Sequence, residues 1–424
     1  MRRSGRNRVV AGLAVLAGVL GMAFGAAPAS AGGVGLSGVV QLAAGHSMSC
    51  AVLQDTTARC WGTGPLGTGG AFGQTSTLAV QVQDAQGDPM TGVAQVAIGY
   101  GHVCALRQDT TAVCWGENLV GNLGNGTTTA STRPVVVQQQ GGATLTGITQ
   151  LALGDMHSCA LLSSGQARCW GQNQGTLGDG TRTNRKRAVP VQNAAGTGPL
   201  TNIVQLAAGS QHTCALLGDG RVQCFGENGQ GQIGDGTTTA RLRPKTVKDP
   251  TGAAALAGVT QISADLQSTC ARLSTKQLRC WGPNGSGQRG NGAVTLPGRP
   301  GPLLPTAVKA PSGTTAFTGA MSVGVGAFHA CARVTTAQLR CWGLNGDGQA
   351  GDGTRTTPRK LPVVVRNQFD TQALSNAQTI VGADQHTCAL LTDSTVQCWG
   401  ANAFGQVGDG TTTRRQLPTP VQAA

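Results

Sequence analysis

Short apolar segments alternate with turn-forming residues along the chain, and the same order of segments returns seven times. One copy begins with ITQLALG at Ile148, continues with HSCALL at His157 and ARCWG at Ala167, and closes with AVPVQ at Ala188. Each segment has the length and composition of a β-strand, and turn-forming residues separate the segments. The pattern predicts four short strands per repeat and no helix beyond the N-terminal region.

Cysteines set the period of the repeat. The first cysteine of each copy, from Cys50 to Cys388, returns after 54 to 61 residues. A fixed period of this length indicates a propeller or a solenoid. A solenoid needs polar capping repeats, but the last copy, which starts at His386, is as regular as the third. We therefore predict an all-β fold, a seven-bladed β-propeller of four-stranded blades.

The repeat also resembles a known family. Its pattern GxxHxCAL, followed by CWGxNxxGQLGDGT, is similar to the repeat of the regulator of chromosome condensation family over residues 37–422. The resemblance implies a seven-bladed propeller, which agrees with the strand count.

The N-terminal region predicts export. Four arginines precede the apolar run VVAGLAVLAGVLGMAFGAA, and an Ala-x-Ala pattern ends at Ala31. These are the parts of a secretory signal peptide, so we predict a signal peptide over 1–31 and a single propeller domain over 32–424. No later apolar run is long enough to span a bilayer. We expect an exported bacterial protein that is secreted or associated with the cell envelope.

The fourteen cysteines form seven pairs with a spacing of ten residues. Paired zinc ligands lie closer together in sequence than these cysteines do. The Cys-x-x-Cys motif of thioredoxin-like redox centres is absent. A three-residue turn at 163–165 places Cys159 opposite Cys169 across a hairpin, at a separation of about 4.5 Å between Cα atoms. An exported chain with an even number of cysteines favours one disulfide per blade: Cys50 with Cys60, Cys104 with Cys114, Cys159 with Cys169, Cys214 with Cys224, Cys270 with Cys280, Cys331 with Cys341, and Cys388 with Cys398.

Two other repeated residues suggest chemistry but are better explained by packing. A tryptophan follows the second cysteine in six copies, with Phe225 in the fourth. It could stack on a sugar, but its recurrence favours packing between blades. Histidine precedes the first cysteine by two positions in five copies. A ring of histidines could bind a metal or an anion, but we expect each to be buried and hydrogen-bonded to a neighbouring backbone group.

Catalytic and metal-binding chemistry has little support. The GDGT loops could bind calcium, but each supplies one carboxylate, and Asp and Gly form such turns without an ion. Glu117 and Glu227 are the only glutamates, and they occupy the same repeat position. The sequence has no nucleophile-elbow motif, no phosphate-binding loop motif and no zinc-protease motif. We expect no enzyme activity, no metal and no cofactor.

Basic residues cluster at one repeat position, in residues 181–187, 237–245, 354–360 and 411–416, and the formal net charge is +13. Such clusters either form a solvated loop face or bind an anionic polymer of the cell envelope. Polymer binding is therefore the alternative function.

The family resemblance offers two functional precedents. Nuclear members act on a small GTPase and on chromatin, partners that an exported chain does not meet, so we expect no nucleic-acid binding. A secreted propeller, the beta-lactamase inhibitory protein II, is distantly similar and binds its partner through the loops before the His-containing strands. Carried over by repeat position, that surface comprises Ser47, Tyr100, Asp155, Met156, Gln211, Gln267, Phe328, Asp384 and Gln385.

This chain departs from that inhibitor in having longer repeats, paired cysteines and few aromatic residues on the ring, so its partner need not be a beta-lactamase. We predict a monomeric, non-catalytic scaffold that binds another extracellular or cell-surface protein.

Overall fold

The computed structural model describes residues 34–296 and 303–424. The predicted signal peptide lies outside the described residues. Residues Gly33–Ala424 form one compact unit, and its strands are grouped in seven antiparallel four-stranded sheets. The predicted all-β, seven-bladed propeller is confirmed.

Each blade consists of four consecutive strands. Blades 1 to 4 comprise β1 to β16: Val39–Gly45, Met48–Leu53, Ala58–Gly64, Gln74–Gln81; Val93–Ile98, His102–Arg107, Ala112–Gly116, Ser131–Val136; Ile148–Leu153, His157–Leu162, Ala167–Gly171, Arg185–Pro190; Ile203–Ala208, His212–Leu217, Val222–Gly226, Arg241–Thr246. Blades 5 to 7 comprise β17 to β28: Val259–Asp265, Ser268–Leu273, Leu278–Trp281, Thr306–Ala307; Ala320–Val325, His329–Val334, Leu339–Gly343, Arg359–Val364; Ala377–Gly382, His386–Leu391, Val396–Gly400, Arg415–Pro420.

The first strands of the blades contact one another and surround the central axis. Because neighbouring strands are antiparallel, the loop between the first and second strands and the loop between the third and fourth strands emerge at the same end of a blade. We call these the inner and outer loops, and the end that carries them the upper face. The lower face carries the other connections.

The predicted cysteine pairs are confirmed in every blade. Each pair joins directly opposite residues of the second and third strands, as Cys159 and Cys169 do, with Cα atoms 4.0 to 4.1 Å apart. The cysteines are fully buried or nearly so. Each disulfide therefore closes one hairpin inside the hydrophobic core.

Tryptophan packs between blades, as the repeat pattern predicts. Trp170 of blade 3 is completely buried and belongs to a cluster with Leu123 and Val137 of blade 2. Its indole Nε1 donates a hydrogen bond to the backbone oxygen of Asn122 in blade 2, at 2.8 Å. The aromatic side chain thus joins two blades and is unavailable for stacking on a ligand.

The ring closes where residues 34–36 meet the C-terminal segment, and in the described part of the chain blades 1 and 7 exchange no strand. The backbone N–H of Leu36 donates to Val421 at 2.9 Å, and that of Ala79 donates to Gln422 at 2.9 Å. The C-terminal segment therefore lies between residues 34–36 and the outermost strand of blade 1.

Candidate protein-binding face

The nine predicted binding residues all lie in the inner loops of the upper face. The inner loops of blades 3 and 7 contribute two of these residues each, and the other five inner loops contribute one each. The side chains of Tyr100, Gln211, Gln267, Phe328 and Gln385 are exposed, whereas Ser47, Asp155, Met156 and Asp384 are half-buried. The structure thus places the nine residues on one face.

Six of the inner loops, or the strand ends that lead into them, line one small cavity at the axis, which we call the mouth. It is lined in part by His46, Tyr100, Asp155, Asp265 and Asp384. Asp265 was not among the predicted residues. Below the mouth, the first strands of all seven blades surround a channel of about 460 Å³.

Contacts between adjacent inner loops connect the mouth from blade 7 through blades 1, 2 and 3 to blade 4. His46 Nδ1 lies 2.7 Å from Asp384 Oδ2, and the His46 and Tyr100 rings are 4.0 Å apart between centroids. The backbone N–H of Tyr100 donates to Asp155 at 3.2 Å, and that of Asp155 donates to Ser210 at 3.3 Å. Side chains at the mouth are therefore held by neighbouring blades.

Three carboxylates crowd the mouth. Burial raises the pKa of Asp155, and the nearby Asp384 raises it further, against a hydrogen bond from the Ser210 hydroxyl. Burial also raises the pKa of Asp265 well above its usual range, with the charges of Asp384 and Asp155 adding to the effect. Burial and the mutual repulsion of the carboxylates therefore both disfavour the charged form of Asp155 and Asp265.

Glutamine side chains join the first strands around the channel. Gln95 Oε1 accepts from the backbone N–H of Leu151 at 2.9 Å, and its Nε2 donates to the Leu151 carbonyl at 3.1 Å. The same two-point bridge to the next blade is made by Gln41, Gln150, Gln205 and Gln261. Sequence reasoning missed this ring, although its signal is visible as a glutamine inside five of the seven apolar segments.

The buried histidines join blades through side chains rather than through the expected backbone partner. His102 Nε2 lies 2.8 Å from Ser158 Oγ in the next blade, and Ser158 Oγ donates to the Asn122 carbonyl at 3.3 Å. Because that hydroxyl donates to the carbonyl, it accepts the Nε2 proton. Equivalent pairs are His157 with Thr213, His212 with Thr269, His329 with Thr387, and His386 with Ser49.

Burial keeps these histidines neutral. It lowers the pKa of His102, His212 and His386 to about 3, and that of His157 and His329 to about 4. A neutral, hydrogen-bonded imidazole on a blade boundary is a structural residue. The histidines therefore do not form a metal or anion ring.

The histidine position and its partner change together. Blade 1 has Met48 instead of histidine, and it is followed by Val103 in blade 2 where other blades have serine or threonine. Blade 5 has Ser268, and it is followed by Ala330 in blade 6. Wherever the imidazole donor is missing, the next blade has an apolar residue in place of the hydroxyl. No buried hydroxyl is then left without its hydrogen-bond partner.

Asp265 lies in one of the two blades that lack the histidine. It takes the repeat position of Gly154 in blade 3, and Ser268 takes the position of His157. The first strand of blade 5 therefore ends in a carboxylate at the mouth, where five other blades have glycine and blade 7 has Ala383.

Aspartates of the GDGT loops organise the outer loops. Asp179 accepts from Asn173 Nδ2 at 2.9 Å, from Thr181 Oγ1 at 2.8 Å and from Arg185 Nε at 2.8 Å. Burial acts to raise the pKa of Asp179, but these hydrogen bonds hold it below its usual value. The aspartate therefore has a structural role in place of a calcium ligand.

Ion pairs neutralise part of the basic clusters. The arginine that begins the fourth strand pairs with the GDGT aspartate in four blades: Arg185 with Asp179, Arg241 with Asp235, Arg359 with Asp352, and Arg415 with Asp409. Blade 2 has Asn125 and Ser131 at the two positions. Exposed cations remain nearby, including Lys186, Arg187 and Arg243.

Within residues 34–296 and 303–424, no group of three or more His, Cys, Asp or Glu side chains is arranged to hold a metal ion. A search of the same residues finds no helix that is long and apolar enough to cross a membrane.

The blades and their loops define a family. Residues 114–424 match the RCC1-like domain, and residues 93–122 match the regulator of chromosome condensation (RCC1) repeat. The first match covers well over half of the chain, so the chain belongs to the RCC1-like family. Propellers of this family act as binding scaffolds for proteins.

Relatives are known at moderate identity. The ultraviolet-B receptor UVR8 of Arabidopsis thaliana is 28% identical over 390 residues, which are 91% of this chain and 82% of the receptor. The probable E3 ubiquitin-protein ligase HERC4 of Homo sapiens is 34% identical over 208 residues, which are 48% of this chain and only 18% of the ligase. Similarity to the beta-lactamase inhibitory protein II, bacterial origin and export stay predictions.

Solved structures share the fold. Prp20p from Saccharomyces cerevisiae superposes with a TM-score of 0.66 at 21% identity, covering 87% of this chain and 86% of Prp20p. At this identity the likeness concerns the propeller alone.

Proposed function

We propose that this protein is an exported, non-catalytic scaffold that binds another protein through the inner loops of its upper face. The observation that carries the proposal is the convergence of six inner loops around one mouth, where exposed Tyr100 lies among polar side chains, with exposed Phe328 in the remaining inner loop of the same face. Loops on a rigid scaffold commonly carry binding, and aromatic residues commonly anchor protein interfaces. Membership of a family of protein-binding propellers supports the same function.

Export is part of the proposal. The N-terminal pattern is that of a signal peptide, and seven buried disulfides are typical of proteins that fold outside the reducing cytosol. The partner is therefore expected in the extracellular space or on the cell surface.

Capture experiments test this function. Immobilised wild-type protein, incubated with secreted and envelope fractions of the source organism, should retain one protein at both low and high salt. The variant Tyr100→Ala with Phe328→Ala should lose at least about tenfold in affinity for that protein, because it removes two exposed aromatic anchors. Phe369→Ala is the matched control, since Phe369 is exposed on the lower face.

The same experiment separates the alternative function. Retention of an anionic polymer at low salt only, abolished by charge reversal at Lys186 and Arg187, would support polymer binding. Unchanged protein capture by the Tyr100 and Phe328 variant would contradict the assignment to the inner loops.

A further inference from the structure

Large apolar side chains of the upper face that are at least half exposed lie next to one another in three consecutive blades, whereas Leu296 of blade 5 lies apart from them and Val294 of blade 5 and Phe328 of blade 6 are less exposed. Tyr100 and Leu119 of blade 2 are 52% and 73% exposed, Phe72 of blade 1 is 51% exposed, and Phe404 of blade 7 is 50% exposed. At the corresponding outer-loop positions, blades 3, 4 and 6 have only Gln174, Gly229, Gln230, Gly346 and Asp347. Blades 7, 1 and 2 therefore form an apolar sector.

The outer loop of blade 1 departs from the repeat in the same sector. Its third and fourth strands continue past Gly62 as paired strand, so that Gly64 lies opposite Gln74. Thr63 Oγ1 donates to the backbone oxygen of Phe404 in blade 7 at 3.2 Å. The extended hairpin thus holds the loop of Phe404 next to blade 1.

The acidic mouth borders this sector. His46 of blade 1 contacts both Tyr100 of blade 2 and Asp384 of blade 7, and Asp155 and Asp265 line the same cavity. The chain as a whole has a formal net charge of +13. The mouth therefore places carboxylates beside exposed aromatic rings. This part of the upper face is more acidic than the basic chain as a whole.

We propose that the apolar sector and the mouth together dock a protein that presents an apolar cluster with a lysine or arginine beside it. The apolar side chains of the partner cover Phe404, Leu119 and Tyr100, and its cation points to Asp155 and Asp384. Opposite charge at a fixed point sets the orientation of a partner, while aromatic side chains supply most of the affinity. This inference rests on the proposed protein-binding function and specifies the kind of surface that the partner presents.

A displayed peptide library tests the inference without knowledge of the natural partner. The probe is a phage library of disulfide-closed random peptides, selected on the full-length chain expressed into an oxidising compartment. Peptides that bind should share large apolar residues and at least one lysine or arginine. The enriched peptides are then synthesised, and their affinities are measured by fluorescence polarisation.

Two pairs of substitutions locate the binding site. Phe404→Ser with Leu119→Ser should weaken these peptides by at least about tenfold. Phe369→Ser is the control for exposed phenylalanine on the lower face, where Phe369 is 72% exposed, and it should leave affinity unchanged. Thermal unfolding of each variant shows that the propeller is intact.

Charge is tested from both sides of the contact. Asp155→Asn in the protein and replacement of the basic residue by glutamine in the peptide should each weaken binding, and the two effects should not add. Asp88→Asn, an exposed change on the lower face, should have no effect. Additive losses would overturn the predicted contact between this carboxylate and the cation.

Other outcomes contradict the inference in distinguishable ways. Peptides with an acidic consensus, or peptides insensitive to Phe404 and Leu119, would overturn the docking sector but leave the protein-binding function standing. A selection that enriches no peptide would count against both.

Discussion

Single residues at the blade boundaries act in matched pairs. Histidine meets a hydroxyl, as His102 meets Ser158, whereas Met48 and Ser268 meet Val103 and Ala330. A buried donor left without its acceptor costs about 1 to 3 kcal/mol, but replacing both partners by apolar groups costs far less. Selection on stability therefore acts on the pair rather than on either residue.

A double-mutant cycle checks this at one boundary. Ser158→Val alone should lower the free energy of unfolding by about 1 to 3 kcal/mol, because His102 Nε2 loses its acceptor. Adding His102→Met, which copies the Met48 and Val103 pair, should restore part of that loss. Urea unfolding of the wild type, both single variants and the double variant measures the coupling, and strictly additive losses would refute the pairing.

The sequence predicted the histidine burial but not its partner. Alternate side chains of a strand point to the same face, so His102 shares a face with Cys104, and this explains why its burial could be expected. The hydroxyl partner lies 56 residues away, and a contact across a blade boundary depends on how the blades are rotated against each other. Asp265 escaped prediction because it takes a repeat position at which five other blades have glycine, and only the folded ring shows that this position lines the mouth.

The hairpin of the second and third strands is the element in which sequence reasoning succeeded most fully. Turn length alone placed Cys159 opposite Cys169, and the structure has them opposed. Strand number and order were equally predictable, because both depend on local periodicity. The glutamine ring was missed because Gln95 bonds the backbone of the next blade, which no local pattern reveals.

Removing one disulfide measures its contribution to the hairpin. Cys159→Ala with Cys169→Ala should lower the free energy of unfolding by about 2 to 3 kcal/mol, since the unfolded chain gains the freedom of a short loop. The fold should persist, because six other blades keep their disulfides. Urea unfolding against wild type gives the value, with near-ultraviolet circular dichroism as the check on packing; loss of the fold would contradict this view of the disulfide as one local constraint.

At the scale of the whole molecule, five buried histidines couple folding to pH. Burial lowers their pKa from the ordinary value of 6.5 to about 3 or 4. As pH falls below 6.5, the unfolded chain takes up protons that the folded ring cannot accept. Stability is therefore present above pH 6.5 and is lost on acidification towards pH 4.

Acid sensitivity is thus expected to be steep. Each histidine contributes a slope of up to about 1.4 kcal/mol per pH unit. The raised pKa values of Asp155 and Asp265 act in the opposite sense, but they are two groups against five. The urea midpoint should fall markedly between pH 7 and pH 5, and the variant His102→Met with Ser158→Val should fall less, because it has one titrating group fewer. A midpoint independent of pH would show that the imidazoles protonate within the fold.

Matched pairs at the boundaries also restrict how such a ring can be rebuilt by recombination. Blades 3, 4 and 7 each have a hydroxyl that accepts from the histidine of the preceding blade and a histidine that donates to the next blade. Any of the three can therefore be deleted, duplicated or exchanged without creating a mismatch at this position. Deletion of blade 2 would bring Met48 against Ser158, and deletion of blade 6 would bring Ser268 against Thr387. Gene rearrangements in this ring should therefore survive in blades 3, 4 and 7 and be eliminated where they change the blade that follows blade 1 or blade 5.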